Sequence, residues 1–421
     1  MINNSVARCS SDENKETVLV LASTFPRWPG DDQPRFVLDL CKRLKYDYNV
    51  IVLAPGCLGA KNEEVLEGVS VTRFHYAPRR FESVAYGGGI LSQLRSNKFR
   101  CFWLPFFFLS MVIHAAFIIR RHRCSIIHAH WIIPQGLAAC MALLCLRRKN
   151  RPRLVLTSHG ADLYSLNGWP LRILKAWVLS RSARVSVVSN AMKDRVLALV
   201  PEASSKLRVI PMGTDIVQRF RPVTSVKTIH PSFLFVGRLV EKKGVHVLLR
   251  AMREVLVSFP NAELKVVGDG PLRKPLEDYC LELKIEKSVV FVGSTQQHEL
   301  VNYYSEAHAA VFPFVVASNG DQEGLGLVVV EAQACKTLVI TTDIPATEDT
   351  MLCGDQKEWL VPKNDYLALS EKMKKVAMLD QNELASRLEN WRNQARERFD
   401  WSIISDRYSK EIYRFENGSI E

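Results

Sequence analysis

Residues 318 to 336 read Ser-Asn-Gly-Asp-Gln-Glu-Gly-Leu-Gly-Leu-Val-Val-Val-Glu-Ala-Gln-Ala-Cys-Lys. The first half is rich in glycine and polar residues and the second is an apolar run holding one acid, so the pattern predicts a loop opening into a helix. Gly324 and Gly326, on either side of Leu325, let the backbone approach a ligand closely. The N–H groups of the first helical turn, which lack intrahelical partners, present the positive end of the helix dipole to it. Glu323 in the loop and Glu331 in the helix are eight residues apart and need not share a helical face. They are placed to touch different parts of one extended ligand. A ligand with hydroxyls on both sides of its phosphates, such as a nucleotide diphosphate sugar, fits this layout, and a capped helix with a stray acid fits the spacing equally well.

The chain has 421 residues, 47% hydrophobic and 24% charged. Such a chain is too long for one ordinary core, and two globular domains of about 200 residues are expected. None of the ten cysteines forms a Cys-x-x-Cys pair, and the start of the chain carries no apolar signal-peptide core. These features predict free thiols and a cytoplasmic location. His128 and His130 flank Ala129, but no neighbouring Cys or acid completes a ligand set, so no metal is expected.

The net charge of +12 is uneven: residues 1–220 hold 31 Lys and Arg against 15 Asp and Glu, and the remainder 25 against 29. Between Glu82 and Asp162 there is no acidic residue, while eleven basic ones, from Arg95 and Lys98 to Arg151 and Arg153, fall there. An anionic partner is implied, and nucleic acid and anionic membrane both suit a basic surface. The apolar run from Cys101 to Ile119, with Phe99 and Trp103 beside cationic flanks, favours membrane over nucleic acid. It reaches spanning length. Pro105, Ser110 and His114 weaken a span, and the run leads straight into Ser125-Ile-Ile-His-Ala-His, a central strand in prospect. An interfacial or buried helix is therefore expected.

Thr17 to Ala22 is a β-rich run, followed by a loop through Arg27 to Arg35 and a helix near Gln33 to Leu44. Further strands are predicted at Asn49–Leu53, Val69–Phe74, Ser125–His128, Arg153–Ser158, Arg184–Ser189 and Leu207–Pro211, with helical stretches between them as a doubly wound parallel α/β sheet requires. Arg221 to Pro231 reads as a linker, and a second series opens at Phe233. The expected division is 1–220, a second domain over 221–399, and a final helical segment 400–421 returning to the first. In the second series a strand ends at Gly237, with Arg238 and Lys243 bracketing the turn before the next helix. Two cations at such a turn can neutralise a diphosphate.

Several stretches together resemble the retaining glycosyltransferases of family 4, the group 1 type with the GT-B fold. These are Gly320-Asp-Gln-Glu-Gly-Leu-Gly-Leu followed by Glu331-Ala, His128-Ala-His-Trp, Thr157-Ser-His-Gly-Ala-Asp, Val209-Ile-Pro-Met-Gly-Thr-Asp and the Arg238-x4-Lys243 pair. Lys336 and Leu338 depart from the family's Gly and Pro, and Met212 from its Asn. The resemblance implies two Rossmann-like domains facing a central cleft, the first for the acceptor and the second for the nucleotide sugar. It implies transfer from a nucleotide diphosphate sugar to a lipid-linked or saccharide acceptor, with retention at the anomeric carbon. Glu323 and His159 are then expected at the donor sugar, Arg238 and Lys243 with the amides of Gly324, Leu325 and Gly326 at the diphosphate, Glu331 at the ribose, and Val292 and Gly293 at the base. Asp32, His130 and Asp162 are acceptor-side candidates. Neither cofactor nor metal is implied. With the basic first half, the enzyme is expected at the inner face of the plasma membrane, in polysaccharide or glycolipid assembly. The alternatives are a sugar-nucleotide epimerase or a catalytically silent anion- or membrane-binding protein of the same fold.

Overall fold

The computed structural model describes residues 15–31, 33–87, 89–165, 168–223 and 229–414. Two sheets carry the chain. The strands of the first are β1 (Thr17–Leu21), β2 (Asn49–Pro55), β3 (Glu63–Leu66), β4 (Val69–Phe74), β5 (Ile126–His130), β6 (Arg153–Ser158), β7 (Arg184–Val187) and β8 (Leu207–Val209), in the order β3-β4-β2-β1-β5-β6-β7-β8. Strand β1 pairs in parallel with β2 and β5, β5 with β6, and β2 with β4. Strand β3 folds back antiparallel onto β4 as an edge, with Glu63 exposed and Glu64 turned inward to pair with the buried Arg73 at 2.9 Å. Charge on an edge strand discourages pairing with another chain. The sequence reading did not include β3, because four residues without an apolar alternation resemble a turn.

Central parallel strands are covered on both faces and so read as continuous apolar runs. Strand β5 is buried throughout even though it contains His128 and His130. The ring of His128 is accommodated by hydrogen bonds of Nδ1 with the Tyr413 hydroxyl (2.7 Å) and Nε2 with Thr157 Oγ1 (2.8 Å). Burial pushes its pKa down to about 3, so the imidazole is neutral.

The helix Leu104–His122 covers this sheet with Phe107, Met111, Ala115, Ile118 and Ile119. The two polar residues in its apolar run face inward: Ser110 Oγ donates to the carbonyl of His75 (2.6 Å), and His114 Nδ1 lies 2.8 Å from the carbonyl of Ser110.

The second sheet consists of β9 (Ser232–Val236), β10 (Glu263–Val267), β11 (Val289–Gly293), β12 (Ala309–Phe312), β13 (Leu338–Thr342) and β14 (Leu360–Val361), in the order β11-β10-β9-β12-β13-β14. All of its pairings are parallel. Numbered from its own first strand this is 3-2-1-4-5-6, the doubly wound dinucleotide-binding order, in which ligands bind beyond the carboxyl ends of the two strands where the winding reverses. Here those strands are β9 and β12. The helix Val245–Ser258 buries Val245, Val247, Leu248, Leu249, Ala251, Met252 and Val255 in the core. Both parts are thus α/β with a parallel sheet, as expected for GT-B.

Two compact units result, Met1–Thr157 with Leu174–Val185 and Ser409–Glu421, and Ser158–Ile173 with Ser186–Tyr408. Within the first, Tyr413 stands edge-on to Tyr48 at 5.1 Å between ring centres, so the chain after Ser409 is part of that core. All nine described cysteines are free thiols.

One backbone approach fixes the geometry at the switch point. Gly244 has φ +66°, and a Cβ on it would lie 1.8 Å from the carbonyl oxygen of Pro313, just past β12. Replacing Gly244 with Ala is expected to lower stability by at least ~2 kcal/mol, through a clash with backbone at a left-handed position. Urea unfolding of wild type and Gly244→Ala measures this, and an unchanged midpoint would contradict the packing described.

Candidate functional site

The site grows from the two loops at the switch point. After β9 the chain passes Gly237 and Arg238, buries Leu239 and makes a single 3₁₀ turn, Glu241–Lys243, ahead of the helix at Val245. After β12 it runs through Phe314 to Gly326 and enters the helix Leu327–Ala334. The amide of Val315 donates to the carbonyl of Lys242 (2.9 Å) and holds the two loops together.

Each residue of the 3₁₀ turn then takes one part of the opposite loop. The Glu241 carboxylate accepts from the amide and the hydroxyl of Ser318, each at 2.8 Å. Lys242 Nζ donates to Asp321 Oδ1 (3.3 Å) and to the carbonyl of Gln322 (3.2 Å). Lys243 Nζ donates to Glu323 Oε2 at 2.7 Å and lies 4.8 Å from the centre of the Phe314 ring. Three consecutive side chains thereby fasten residues 318–323 ahead of the glycines.

Gly326 is the N-cap of the following helix, with φ +80°, and no side chain caps it. An L residue at this φ would be strained. Gly324 is small for a different reason. A Cβ there would stand 2.8 Å from the carbonyl oxygen of His159, and one on Gly160 would stand 3.2 Å from the Gly324 Cα. The backbone of His159 and Gly160 thus lies directly on Gly324. Asp162 is buried and closes this turn, its Oδ1 accepting from Ser158 Oγ (2.9 Å) and from the amide of His159 (3.3 Å).

The two acids have opposite electrostatics. Burial pushes the carboxyl of Glu323 up, but the charges of Lys243 and Lys242, the Lys243 hydrogen bond and the Gly324 amide outweigh it and hold the pKa at about 2. Glu331 is buried on the inner side of its helix and accepts from the Tyr304 hydroxyl at 3.1 Å. Burial pushes it up to about 7, against the Tyr304 hydrogen bond and the charges of Arg219 and Lys243. One acid is a fixed anion and the other is poised near neutrality.

Val292 and Gly293 end β11, where Gly268 N–H donates to the Gly293 carbonyl (2.8 Å) and Arg273 donates to the carbonyl of Phe291 (3.4 Å). Of the acceptor-side candidates, His130 is wholly buried at the end of β5, its ring centre 4.2 Å from that of His128. Asp32 lies outside the described residues. Its neighbour Asp31 receives the backbone amide and guanidinium of Arg27 at 2.6 to 2.9 Å.

The structure therefore brings Lys243, Glu323, Gly324, Leu325, Gly326 and His159 to one place and sets Arg238 at the start of the same turn. Sequence reasoning did not reach Glu241 as an anchor for Ser318, nor Tyr304 and Arg219 as neighbours of Glu331. It did not reach Lys242 as the partner of Asp321 either. The only local signal was the run Glu-Lys-Lys before a glycine. Among the described residues no group of three or more His, Cys, Asp or Glu could hold a metal ion.

Two sequence families divide the chain between them. Residues 33–218 match Glycosyltransferase Family 4, and residues 217–398 match Glycosyl transferases group 1. An uncharacterised glycosyltransferase of Methanocaldococcus jannaschii is 27% identical over 257 residues, 57% of this chain and 63% of that protein. The GDP-mannose-dependent α-(1-6)-phosphatidylinositol monomannoside mannosyltransferase of Mycolicibacterium smegmatis is 29% identical over 235 residues, 52% of this chain and 60% of the relative. In both cases the chain spans less than two thirds of the relative's length. Among solved structures, sucrose-phosphate synthase of Thermosynechococcus elongatus superposes with a TM-score of 0.73 at 21% identity, over 94% of this chain and 98% of that one, which is a likeness of fold.

The two carboxyl groups make the folded state respond to pH in opposite directions. Glu323 is depressed from its ordinary 4.5, so its contribution to stability is present above about 4.5 and is lost as pH falls towards 2. Glu331 is raised from the same 4.5, so the folded state keeps a proton that the unfolded chain has given up, and its contribution is lost as pH rises from about 4.5 through 7. Thermal unfolding across pH 3 to 8 is expected to show Glu323→Gln losing part of the low-pH slope and Glu331→Gln flattening the slope between about 4.5 and 7. Parallel curves for both variants and wild type would refute this assignment.

Proposed function

Because the chain belongs to the family 4, group 1 glycosyltransferases of the GT-B fold, we propose that it transfers a sugar from a nucleotide diphosphate donor to a lipid-linked or saccharide acceptor, with retention. The observation that carries this reading is the fastening of the Glu241–Lys243 turn onto residues 318–323, with Lys243 at 2.7 Å from Glu323 and the amides of Gly324 to Gly326 immediately beyond. Cations, amides and a fixed carboxylate meet there at the switch point of a dinucleotide-binding sheet.

In this reading Arg238, Lys243 and the Gly324–Gly326 amides take the diphosphate. Lys243 has three N–H donors, so its ammonium can serve a phosphate oxygen while keeping Glu323. Glu323, an acceptor throughout the working pH range, takes hydroxyls of the donor sugar, and His159 completes that pocket. Glu331 takes the ribose hydroxyls, and Val292 and Gly293 border the base. Asp162, which holds the turn at His159, lies on the acceptor side, and His130 and Asp32 are the other candidates there.

The C1–oxygen bond to the β-phosphate breaks as the acceptor oxygen bonds to C1 on the same face. The acceptor's proton passes to the departing phosphate oxygen. Negative charge grows on the diphosphate during this step, and preset cations stabilise it more in the transition state than in the bound donor. The charge needed is supplied by Arg238 and Lys243, with no resident cofactor. The name of the mannosyltransferase relative supports a nucleotide-linked donor and a glycolipid acceptor. Together with the basic first half of the chain it supports work at the cytoplasmic face of a membrane, in glycolipid or polysaccharide assembly.

A thermal-shift screen of UDP, GDP, ADP and their sugars tests the donor site. One nucleotide is expected to raise the melting temperature of wild type, and Arg238→Ala is expected to lose that rise. With the donor found, Glu323→Gln is expected to reduce turnover about 10²- to 10³-fold, the loss typical for one preset electrostatic group. No shift with any nucleotide on folded protein would overturn the transferase reading.

A further inference from the structure

The helix Leu104–His122 and the 3₁₀ segment before it, Lys98–Trp103, leave one face uncovered. Phe99, Phe102, Phe106, Leu109, Ile113 and Phe117 recur at steps of three and four and are all exposed, from 47% for Phe106 to 88% for Phe99. This is one stripe of a helix. The opposite face is built into the sheet by Phe107, Met111, Ala115, Ile118 and Ile119. The neighbouring helix Leu137–Leu144 adds exposed Met141 and Leu144. Soluble surfaces seldom leave so large a contiguous apolar area open.

Charge says what covers it. Lys98 is exposed at one end of the stripe, and exposed Arg121, Arg123, Arg147, Arg148 and Lys149 follow at the other. Arg120 Nη2 donates to the carbonyl of Cys145 at 2.7 Å, which ties the two helices at this basic end. No acidic residue occurs from 83 to 161, and the acids that share a cavity with Ile113, Phe117 and Arg121 are Glu63 and Glu64, the latter paired with Arg73. Aromatic rings gather at the other end, Phe81 stacked on Trp103 at 5.8 Å and Trp103 beside Phe106 at 5.9 Å, with Arg80 over Phe81 at 4.8 Å. An apolar stripe with cationic ends and an aromatic cluster is the chemistry of a helix lying in a lipid interface, its rings at headgroup level and its cations on lipid phosphates. Nucleic acid would not use the stripe.

We propose that the Phe99–Phe117 stripe is the face by which the first unit lies on an anionic lipid bilayer, parallel to its surface and without crossing it. The helix is long and apolar enough to span, but more than a third of its apolar stretch is buried in the protein. Spanning would strip Phe107 and Met111 from the sheet. This inference rests on the membrane-facing part of the proposed function, and donor binding by the second unit tests the remainder of that function separately.

The test is co-sedimentation of the full chain with vesicles of phosphatidylcholine alone or with about one third phosphatidylglycerol. Wild type is expected to sediment with the anionic vesicles and to be released by high salt or alkaline carbonate. The triple variant Leu109→Ser, Ile113→Ser, Phe117→Ser is expected to bind at least about tenfold more weakly. Arg121→Glu with Arg123→Glu is expected to lose the preference for anionic lipid. Unchanged far-ultraviolet circular dichroism and thermal-unfolding midpoints in both variants would establish that they are folded. Equal binding of wild type and the triple variant would overturn the proposal, as would wild type that resists carbonate extraction. A lipid-free dimer abolished by the triple variant would also overturn it, because a second copy would then cover the stripe.

Discussion

The ion pair between Lys243 and Glu323 is the constraint on which the rest of the candidate site depends. Lys243 is 13% and Glu323 15% exposed, so both charges are mostly removed from water. Burial alone would drive the carboxyl towards its neutral form, and an isolated buried ammonium would be costly as well. At 2.7 Å the Lys243 ammonium keeps the Glu323 carboxyl ionised. Breaking such a pair by removing one partner costs more than the pair itself contributes, because the remaining charge is stranded. Fixed charge at this point suits the diphosphate leaving group of the proposed reaction, and in solution it would be dispersed by water and salt.

The pair can form only because two loops from different strands are pressed together. Gly244 admits the carbonyl of Pro313, the amide of Val315 holds the carbonyl of Lys242, and Glu241 and Lys242 fasten Ser318 and Asp321. The loop after β12 is therefore held at several points before Gly324, and the helix at Gly326 follows directly from it. Rigid placement of donors is how a site avoids reorganising as charge develops. The same sheet accounts for the position: β9 and β12 are adjacent in the sheet but belong to oppositely wound halves, so their following loops meet.

Much of this was legible in the sequence because it is local. The strand positions followed from apolar runs, the helix start from Gly324 to Gly326, and the cation turn from Arg238 and Lys243. What escaped were relations between distant residues. Lys243 and Glu323 are 80 residues apart, and Tyr304 lies 27 residues before the Glu331 it serves, so no window of the sequence contains either pair. His130 illustrates the other limit. Its motif suggested a ligand contact, but a strand buried on both faces takes its histidines inside, and only packing reveals that. Lys336 occupies the family's glycine position and adopts φ +56°, a left-handed conformation costing roughly 1–2 kcal/mol for an L residue, while pairing with Glu389. The departure seen in the sequence thus left the turn itself in place.

The central claim is that Lys243 and its partners bind the diphosphate portion of the donor. Titration calorimetry with the nucleoside diphosphate and with the corresponding nucleoside, on wild type and Lys243→Ala at two ionic strengths, tests it most directly. The account predicts that the substitution weakens the diphosphate by about tenfold or more, as expected for a charge-assisted hydrogen bond of roughly 1.5–3 kcal/mol, and leaves nucleoside binding nearly unchanged. Equal losses for the two ligands, or none for either, would contradict it.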